Sequence, residues 1–160
     1  MTLTNDEESL LDKLRKTARQ RVKDGYEFKE FTGIIGELAA CQWFKGYKWT
    51  PSDGYDATDE NCNRIQIKTR KVWTSPNFTS GTINKFGRKD KYEFEIGILV
   101  LLDKKFEIAE IWQLDKDEIR NRESRENGRL LALKVSAFIR KPVTQYIHPN
   151  FRSLRNKEKL

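Results

Sequence analysis

One short alternating segment, preceded by a turn, constrains the fold of this chain more than any other feature. Residues 64–69 alternate polar and apolar side chains, which is the two-residue period of a half-buried strand. The preceding residues 59–63 are turn formers without a hydrophobic anchor. A turn centred near Asn61 places Asp56 across the ladder from Gln66. The sequence therefore predicts a β-hairpin with one polar face and one buried face.

The polar face of this hairpin gathers a carboxylate, an amide and an ammonium group. Gln66 and Lys68 share that face, whereas Ile65 and Ile67 are expected to face the core. Oxygen donors beside a lysine suit a hard divalent cation that activates water on a phosphate. An ordinary polar strand face is the alternative explanation, and Gln-x-Lys alone is too common to argue against it. The addition of Asp56 across the hairpin favours a metal-dependent nuclease.

A glutamate lies in an otherwise apolar segment that is predicted to form a helix from about residue 32 to 44. At helical spacing Glu37 has the small neighbours Gly33, Ala40 and Cys41, and Gly36 directly precedes it. A carboxylate in such a patch has room for a hydrated ion or for a closely packed strand. Alternatively, Glu37 faces water and the glycines only permit tight packing of the helix on the sheet. Spacing alone leaves both explanations open.

Length and composition predict one packed domain, residues 1–160, without a membrane partner. The chain has 160 residues, 37% of them hydrophobic, and four tryptophans. Its longest apolar run, residues 96–102, is too short to cross a bilayer, and no signal-peptide pattern opens the chain. Two cysteines and one histidine exclude a disulfide framework and a multi-histidine metal site. A cytoplasmic protein is therefore expected.

The excess of basic residues favours a polyanionic partner, because the net charge is +7. Basic residues cluster on the predicted first helix (1–25), after the alternating strand, and in the tail at 141–160. Since one cluster adjoins the candidate metal site, DNA is the expected partner, with RNA as the alternative. The residues expected to bind the nucleic-acid backbone are Arg70, Lys71, Lys85, Arg88 and Lys89.

The remaining pattern predicts an α/β domain with a mixed central sheet. Thr4 and Glu7 form a predicted capping box at the start of the first helix, which ends near Gly25. Further predicted elements are strands at 94–102 and 106–114, a helix at 115–125, a short strand at 130–134, a helical turn at 135–140 and a long loop at 74–90.

Three segments together resemble the PD-(D/E)xK superfamily of restriction-endonuclease-like nucleases. They are Gly36-Glu37-Leu38-Ala39, Gly54-Tyr55-Asp56-Ala57 and Ile65-Gln66-Ile67-Lys68, all within the predicted catalytic core at residues 31–114. The likeness is closer to the branch in which glutamine replaces the second acid. It implies a restriction-endonuclease-like core, with a mixed central sheet flanked by helices. It also implies an endonuclease that hydrolyses DNA with Mg²⁺ or Mn²⁺.

The same resemblance implies a role for each site residue. Asp56 corresponds to the invariant metal ligand, and Gln66 to the second ligand through its side-chain oxygen. Lys68 corresponds to the catalytic lysine, and Glu37 to the helix acid that acts near the metal directly or through water. In this arrangement the backbone carbonyl of Ile67 also binds the metal.

Two departures from the family's commonest pattern keep other functions open. Pro51 and Asp53 precede Asp56 instead of forming a Pro-Asp pair at it. Gln66 is uncharged, so the site holds two carboxylates at most, and fewer anionic ligands weaken the binding of hard cations. A catalytically degenerate nucleic-acid-binding protein of the same fold is the main alternative, and a basic protein that docks on an acidic protein surface is a third. Cleavage of both DNA strands would favour a homodimer.

Overall fold

The computed structural model of the chain describes residues 3–26, 31–44, 46–71, 86, 91–122, 125–126, 129–130 and 145–147. The helices in these ranges are α1 (Asn5–Lys23), α2 (Thr32–Trp43) and α3 (Lys116–Arg122). The strands are β1 (Lys48–Ser52), β2 (Tyr55–Thr58), β3 (Arg64–Lys71), β4 (Ile96–Leu102), β5 (Ile108–Asp115), β6 (Arg125–Glu126), β7 (Arg129–Leu130) and β8 (Gln145–Ile147).

The central sheet is mixed and lies between helices. Within the described residues its strand order is β1-β2-β3-β4-β5-β8. Strands β3 and β4 run parallel, and the other neighbouring strands are antiparallel. Ile35 and Leu38 of α2 share one core with Ile98 of β4, whereas Ile119 of α3 packs at Gly97, on the other face. The predicted α/β class with a mixed sheet flanked by helices is confirmed.

The start of α1 is as predicted, whereas the bounds of α3 differ from the prediction. The capping box of α1 is confirmed, because Thr4 Oγ1 accepts from the Glu7 N–H at 3.2 Å and the Glu7 carboxylate accepts from the Thr4 N–H at 2.8 Å. The helix predicted at 115–125 is shorter than expected. Asp115 belongs to β5, and its carboxylate accepts the Glu118 N–H at 2.8 Å, so the helix begins one residue later.

Both outer strands of the sheet come from segments without a strand signal. Pro51 lies inside β1, and a proline without an N–H is tolerated in a strand at a sheet edge. At the opposite edge, β8 comes from the basic tail at 141–160. The predicted strand at 130–134 is observed at Leu130, in β7. Three predicted segments lie outside the described residues. They are the loop at 74–90 apart from Phe86, strand residues 131–134 and the helical turn at 135–140.

Two arginines of the basic first helix bind the β4–β5 turn. Arg15 Nε donates to the carbonyl of Phe106 at 3.0 Å, and Arg19 Nε donates to the carbonyl of Lys105 at 2.8 Å. Both guanidinium groups also pair with the Glu107 carboxylate, at 3.4 and 2.5 Å. These two arginines therefore attach α1 to the sheet, although the sequence pattern alone assigns them to the basic cluster of the first helix.

Helix α2 packs so closely on strand β3 that one of its glycines has no space for a side chain. A Cβ atom added at Gly36 would overlap the side chain of Thr69. By contrast, a Cβ at Gly33 in the same helix meets nothing within 4 Å. Gly36 precedes Glu37, and Thr69 follows Lys68. The close approach therefore fixes the distance between the two elements that carry candidate site residues.

Gly36→Ala is expected to destabilise the protein by about 1–3 kcal/mol, because the added methyl group overpacks the contact between α2 and β3. Gly33→Ala is the matched control, since it makes the same change in the same helix at a position with open space. The control should be more stable than the parent by up to about 1 kcal/mol, the helix propensity difference between alanine and glycine. Urea unfolding of both variants measures this difference. Equal stability of the two variants would contradict the close packing at Gly36.

Candidate active site

The hairpin that carries the site has the predicted register. Ala57 pairs with Ile65 in the antiparallel β2–β3 ladder. Asp59 closes the turn, because its Oδ1 accepts the backbone N–H groups of Asn61 and Asn63, both at 2.9 Å. Its Oδ2 also accepts from the Asn63 side chain at 2.9 Å. Asp59 therefore has a structural role, and Asp56 remains as the hairpin carboxylate that faces the site.

The carboxylate of Asp56 connects the two strands of the hairpin beyond their last backbone pair. Its Oδ2 accepts a hydrogen bond from Gln66 Nε2 at 2.6 Å and another from the Ile67 N–H at 2.7 Å. The backbone pairing of the two strands ends at Ala57 and Ile65. Beyond that pair, the backbone N–H of Ile67 donates to the Asp56 side chain rather than to a carbonyl of β2. We call this group of Asp56, Gln66 and Ile67 the Asp56 corner.

The polar face of β3 next to the Asp56 corner carries Lys68. Ile65 and Ile67 are buried, whereas Gln66 and Lys68 are half-buried, as the alternation predicts. Lys68 Nζ lies 5.9 Å from the centre of the Phe86 ring, within the range of a cation–π contact. The aromatic ring therefore lies on the same side of the sheet as the lysine.

Glu37 of α2 is half-buried and within electrostatic reach of the same residues. Its Oε2 accepts a hydrogen bond from Trp49 Nε1 at 2.9 Å. Burial and the charge of Asp56 raise the pKa of Glu37 to about 7, while the Trp49 hydrogen bond and the charge of Lys68 act in the opposite direction. Gly36 packs closely on β3, as one of the two explanations expects. Glu37 itself is half-buried and bonded to Trp49, and its role at a metal ion stays a prediction.

The two carboxyl groups of the site are costly to ionise without a cation. Burial raises the pKa of Asp56 above its ordinary value, against the effects of the Ile67 N–H and the charge of Lys68. A positive ion near these two carboxylates would offset both their burial and the repulsion of Glu37 by Asp56. The donor set of Asp56 and Glu37, with amide and carbonyl oxygens nearby, fits one hard divalent cation.

The donor set also has a limit. In the described part of the chain, no three His, Cys, Asp or Glu side chains are grouped so that they could hold a metal ion. Gln66 directs its amide nitrogen toward Asp56, although the sequence predicts its oxygen as a ligand. A half-turn of the amide group exchanges the two atoms. The site therefore depends on two carboxylates supplemented by neutral oxygens.

Two of the predicted nucleic-acid-binding residues, Arg70 and Lys71, lie on opposite faces of β3. By strand alternation, Arg70 shares the face of Gln66 and Lys68. Lys71 lies on the other face, where its Nζ is 5.3 Å from the centre of the Phe106 ring. The other predicted binding residues, Lys85, Arg88 and Lys89, lie outside the described residues.

Sequence reasoning missed two aromatic residues that contact the site. Trp49 donates to Glu37, and Phe86 lies beside Lys68. Trp49 belongs to β1, where Pro51 obscures the strand signal. Phe86 is far from β3 along the chain, so no local pattern connects it with the site. An indole just before a hairpin that carries buried carboxylates is a usable signal, because indole N–H groups find acceptors when buried.

The raised pKa of Glu37 predicts that the metal-free protein becomes less stable as the pH rises. The Glu37 carboxyl group has a pKa of 4.5 in the unfolded chain, whereas its pKa in the folded chain is about 7. Between these values the folded state holds a proton that the unfolded state has released, so the free energy of unfolding falls with rising pH. The loss is complete above the folded pKa and is expected to be about 2 kcal/mol after allowance for solvent screening.

Glu37→Gln cannot titrate at this position, so the fall in stability should be smaller in this variant, with the raised pKa of Asp56 still contributing to it. Urea unfolding in chelator, compared between about pH 4.5 and about pH 8, measures the effect in the parent and in the variant. The same pH dependence in both proteins would show that another group causes it.

Neither the models of known protein families nor the curated proteins include a match to this chain. None of the helices in the described residues has the length and apolar character needed to span a membrane.

Proposed function

We propose that this protein is a metal-dependent endonuclease of the restriction-endonuclease-like type, which hydrolyses phosphodiester bonds in DNA. The observation that supports this function best is the Asp56 corner, where one half-buried carboxylate contacts Gln66 and the Ile67 backbone. Lys68 follows directly on the same strand face, and Glu37 is close enough for its pKa to respond to both charges. Perturbed carboxyls beside a lysine are typical of catalytic sites.

Each residue has a distinct role in the proposed mechanism. Asp56 and Glu37 would hold Mg²⁺ or Mn²⁺ together with the Gln66 amide oxygen and the Ile67 carbonyl. When bound, the ion supplies Lewis acidity and lowers the pKa of water. Lys68 stabilises the negative charge that develops on the phosphoryl oxygens.

The binding surface follows from the same strand face. Arg70 lies two residues after Lys68 on the same face of β3, which supports a role in binding a neighbouring phosphate of the substrate. Lys71 lies on the opposite face and contributes to the general positive field instead. Cleavage of both strands of a duplex would favour two such sites, so a homodimer is part of the proposal for a duplex substrate.

A catalytically degenerate nucleic-acid-binding protein is the second candidate. It is favoured by the neutral amide of Gln66, which brings no negative charge to a metal ion. It is also favoured by the small number of carboxylates in the described part of the site. Such a protein would bind DNA through the basic residues without cutting it.

A digestion panel separates the two candidates. Supercoiled, linear and single-stranded DNA and a single-stranded RNA are incubated with Mg²⁺, with Mn²⁺ and with chelator, and binding is measured in parallel. The proposed function predicts cleavage that requires the metal. Binding of the same nucleic acids with no cleavage under any metal condition would favour the degenerate protein.

Gln66 offers a test of the metal ligands, because its side chain differs from the usual acid by one charge. Gln66→Glu keeps an oxygen at nearly the same reach and adds a negative charge, so the half-saturating Mg²⁺ concentration should fall. Gln66→Leu removes the oxygen and should raise that concentration or end cleavage. Calorimetric titration with Mn²⁺ and cleavage against Mg²⁺ concentration measure both effects. Unchanged metal binding in both variants would exclude Gln66 as a ligand.

A further inference from the structure

An indole of the edge strand β1 connects the helix acid with the strand that carries the Asp56 corner. Trp49 pairs with Ala57 in the β1–β2 ladder. Directly opposite residues of a ladder share one face, and Ala57 is buried in the core beneath α2. The ladder changes register between Trp49 and Ser52, and such bulges re-aim side chains. The indole therefore reaches the helix from the strand next to Asp56.

The contact of this indole with Glu37 is specific and leaves one carboxylate oxygen available. Trp49 Nε1 donates to Glu37 Oε2 at 2.9 Å. None of the described residues donates a hydrogen bond to Glu37 Oε1. A glutamate side chain has several rotatable bonds, and a hydrogen bond at one oxygen restricts the orientation of the whole group. One oxygen is thus bound to the fold and the other is left for a ligand.

We propose that Trp49 is a positioning residue, which fixes the Glu37 carboxylate relative to Asp56 so that both can bind the same metal ion. This inference rests on the proposed function, because it assigns to Trp49 the support of one ligand of that site. Residues that hold metal ligands by hydrogen bonds commonly change metal affinity or activity by about 10- to 100-fold when they are replaced. Trp49 acts through Glu37 and does not touch the metal or the substrate.

The test must distinguish the positioning of Glu37 from a purely structural contribution of Trp49 to the fold. The Trp49 side chain also packs against the hydrophobic core, so removal of the whole ring would disturb the fold. Trp49→Phe keeps an aromatic ring and removes the N–H donor. Phe44→Leu is the matched control, because Phe44 packs on the same core and stacks on Tyr47 at 4.7 Å, with no recorded contact to Glu37.

The experiment is a double-mutant cycle with Trp49→Phe and Glu37→Ala. The Mn²⁺ dissociation constant is measured by calorimetry without DNA, and cleavage is measured to give the half-saturating Mg²⁺ concentration and the KM for DNA. Trp49→Phe should raise both metal constants by about 10-fold or more while the KM for DNA stays the same. In the Glu37→Ala background, Trp49→Phe should change nothing further. Phe44→Leu should leave both metal constants as in the parent.

A second measurement needs neither metal nor activity. The Trp49 indole N–H proton should shift in the NMR spectrum of the metal-free protein when Glu37 is replaced by alanine, because its acceptor is removed. No shift would overturn the positioning role.

The outcomes of the cycle separate the positioning role from the proposed function. A parent that binds Mn²⁺ and cleaves DNA, with a Trp49→Phe variant that has the same metal constants, overturns the positioning role alone. The same is true if Trp49→Phe weakens metal binding equally with and without Glu37. A parent with neither metal binding nor cleavage overturns the proposed function, and the positioning role falls with it.

Discussion

Asp56→Asn is expected to lower the rate of DNA cleavage by about a thousandfold or more, which corresponds to about 4 kcal/mol of transition-state stabilisation. The variant keeps the shape of the side chain and an oxygen that can accept from Ile67, but it loses the charge that binds the metal. Mn²⁺ binding measured by calorimetry should be lost together with cleavage.

The same substitution should leave the protein at least as stable as the parent. Burial raises the pKa of Asp56, so the ionised carboxylate is costly in the metal-free fold, and a neutral amide avoids that cost. Loss of activity without loss of stability is typical of a functional residue. Asp53→Asn is the matched control, since it makes the same chemical change at an exposed position in the β1–β2 turn. Equal loss of cleavage in the control, or none in Asp56→Asn, would show that the site is elsewhere.

Lys68→Ala is expected to reduce the rate of cleavage by about 100- to 1,000-fold, because a charge that stabilises the phosphoryl oxygens is removed. Metal binding should persist, since Lys68 is not a ligand and its charge opposes that of a cation. Lys71→Ala serves as the control, because it removes the same charge from the opposite face of the same strand. Single-turnover cleavage measures the chemical step, and Mn²⁺ calorimetry measures the affinity. Similar rates for both variants would mean that Lys68 contributes only to the overall field.

The hairpin could be predicted because its determinants are local. Alternation in residues 64–69 sets the two faces of β3, and the turn formers set the register that brings Asp56 to Gln66. Asp59 lies within the same sequence but contributes to the turn, as expected of an aspartate among turn formers. The sequence therefore predicts the position of the Asp56 corner, although the orientation of the Gln66 amide emerges only from the structure.

Contacts between distant segments could not be predicted in the same way. The close approach of Gly36 to Thr69 depends on how α2 lies across the sheet, which helix periodicity alone does not specify. The basic pattern of α1 does not distinguish Arg15 and Arg19 from other cations, yet both bind the β4–β5 turn. The hydrogen bond from Trp49 to Glu37 depends on the β1–β2 register and the bulge in it. These features arise from tertiary packing, which overrides local patterns.

The proposed function requires that the Asp56 corner binds a divalent cation and uses it to hydrolyse DNA. The most direct test is a time course with supercoiled DNA, run with the parent in Mg²⁺, with the parent in Mg²⁺ plus excess chelator, and with Asp56→Asn in Mg²⁺. Nicked or linear DNA is expected in the first reaction and in neither of the other two. Cleavage by Asp56→Asn at the parent rate, or by the parent in excess chelator, would contradict the proposed function of the Asp56 corner.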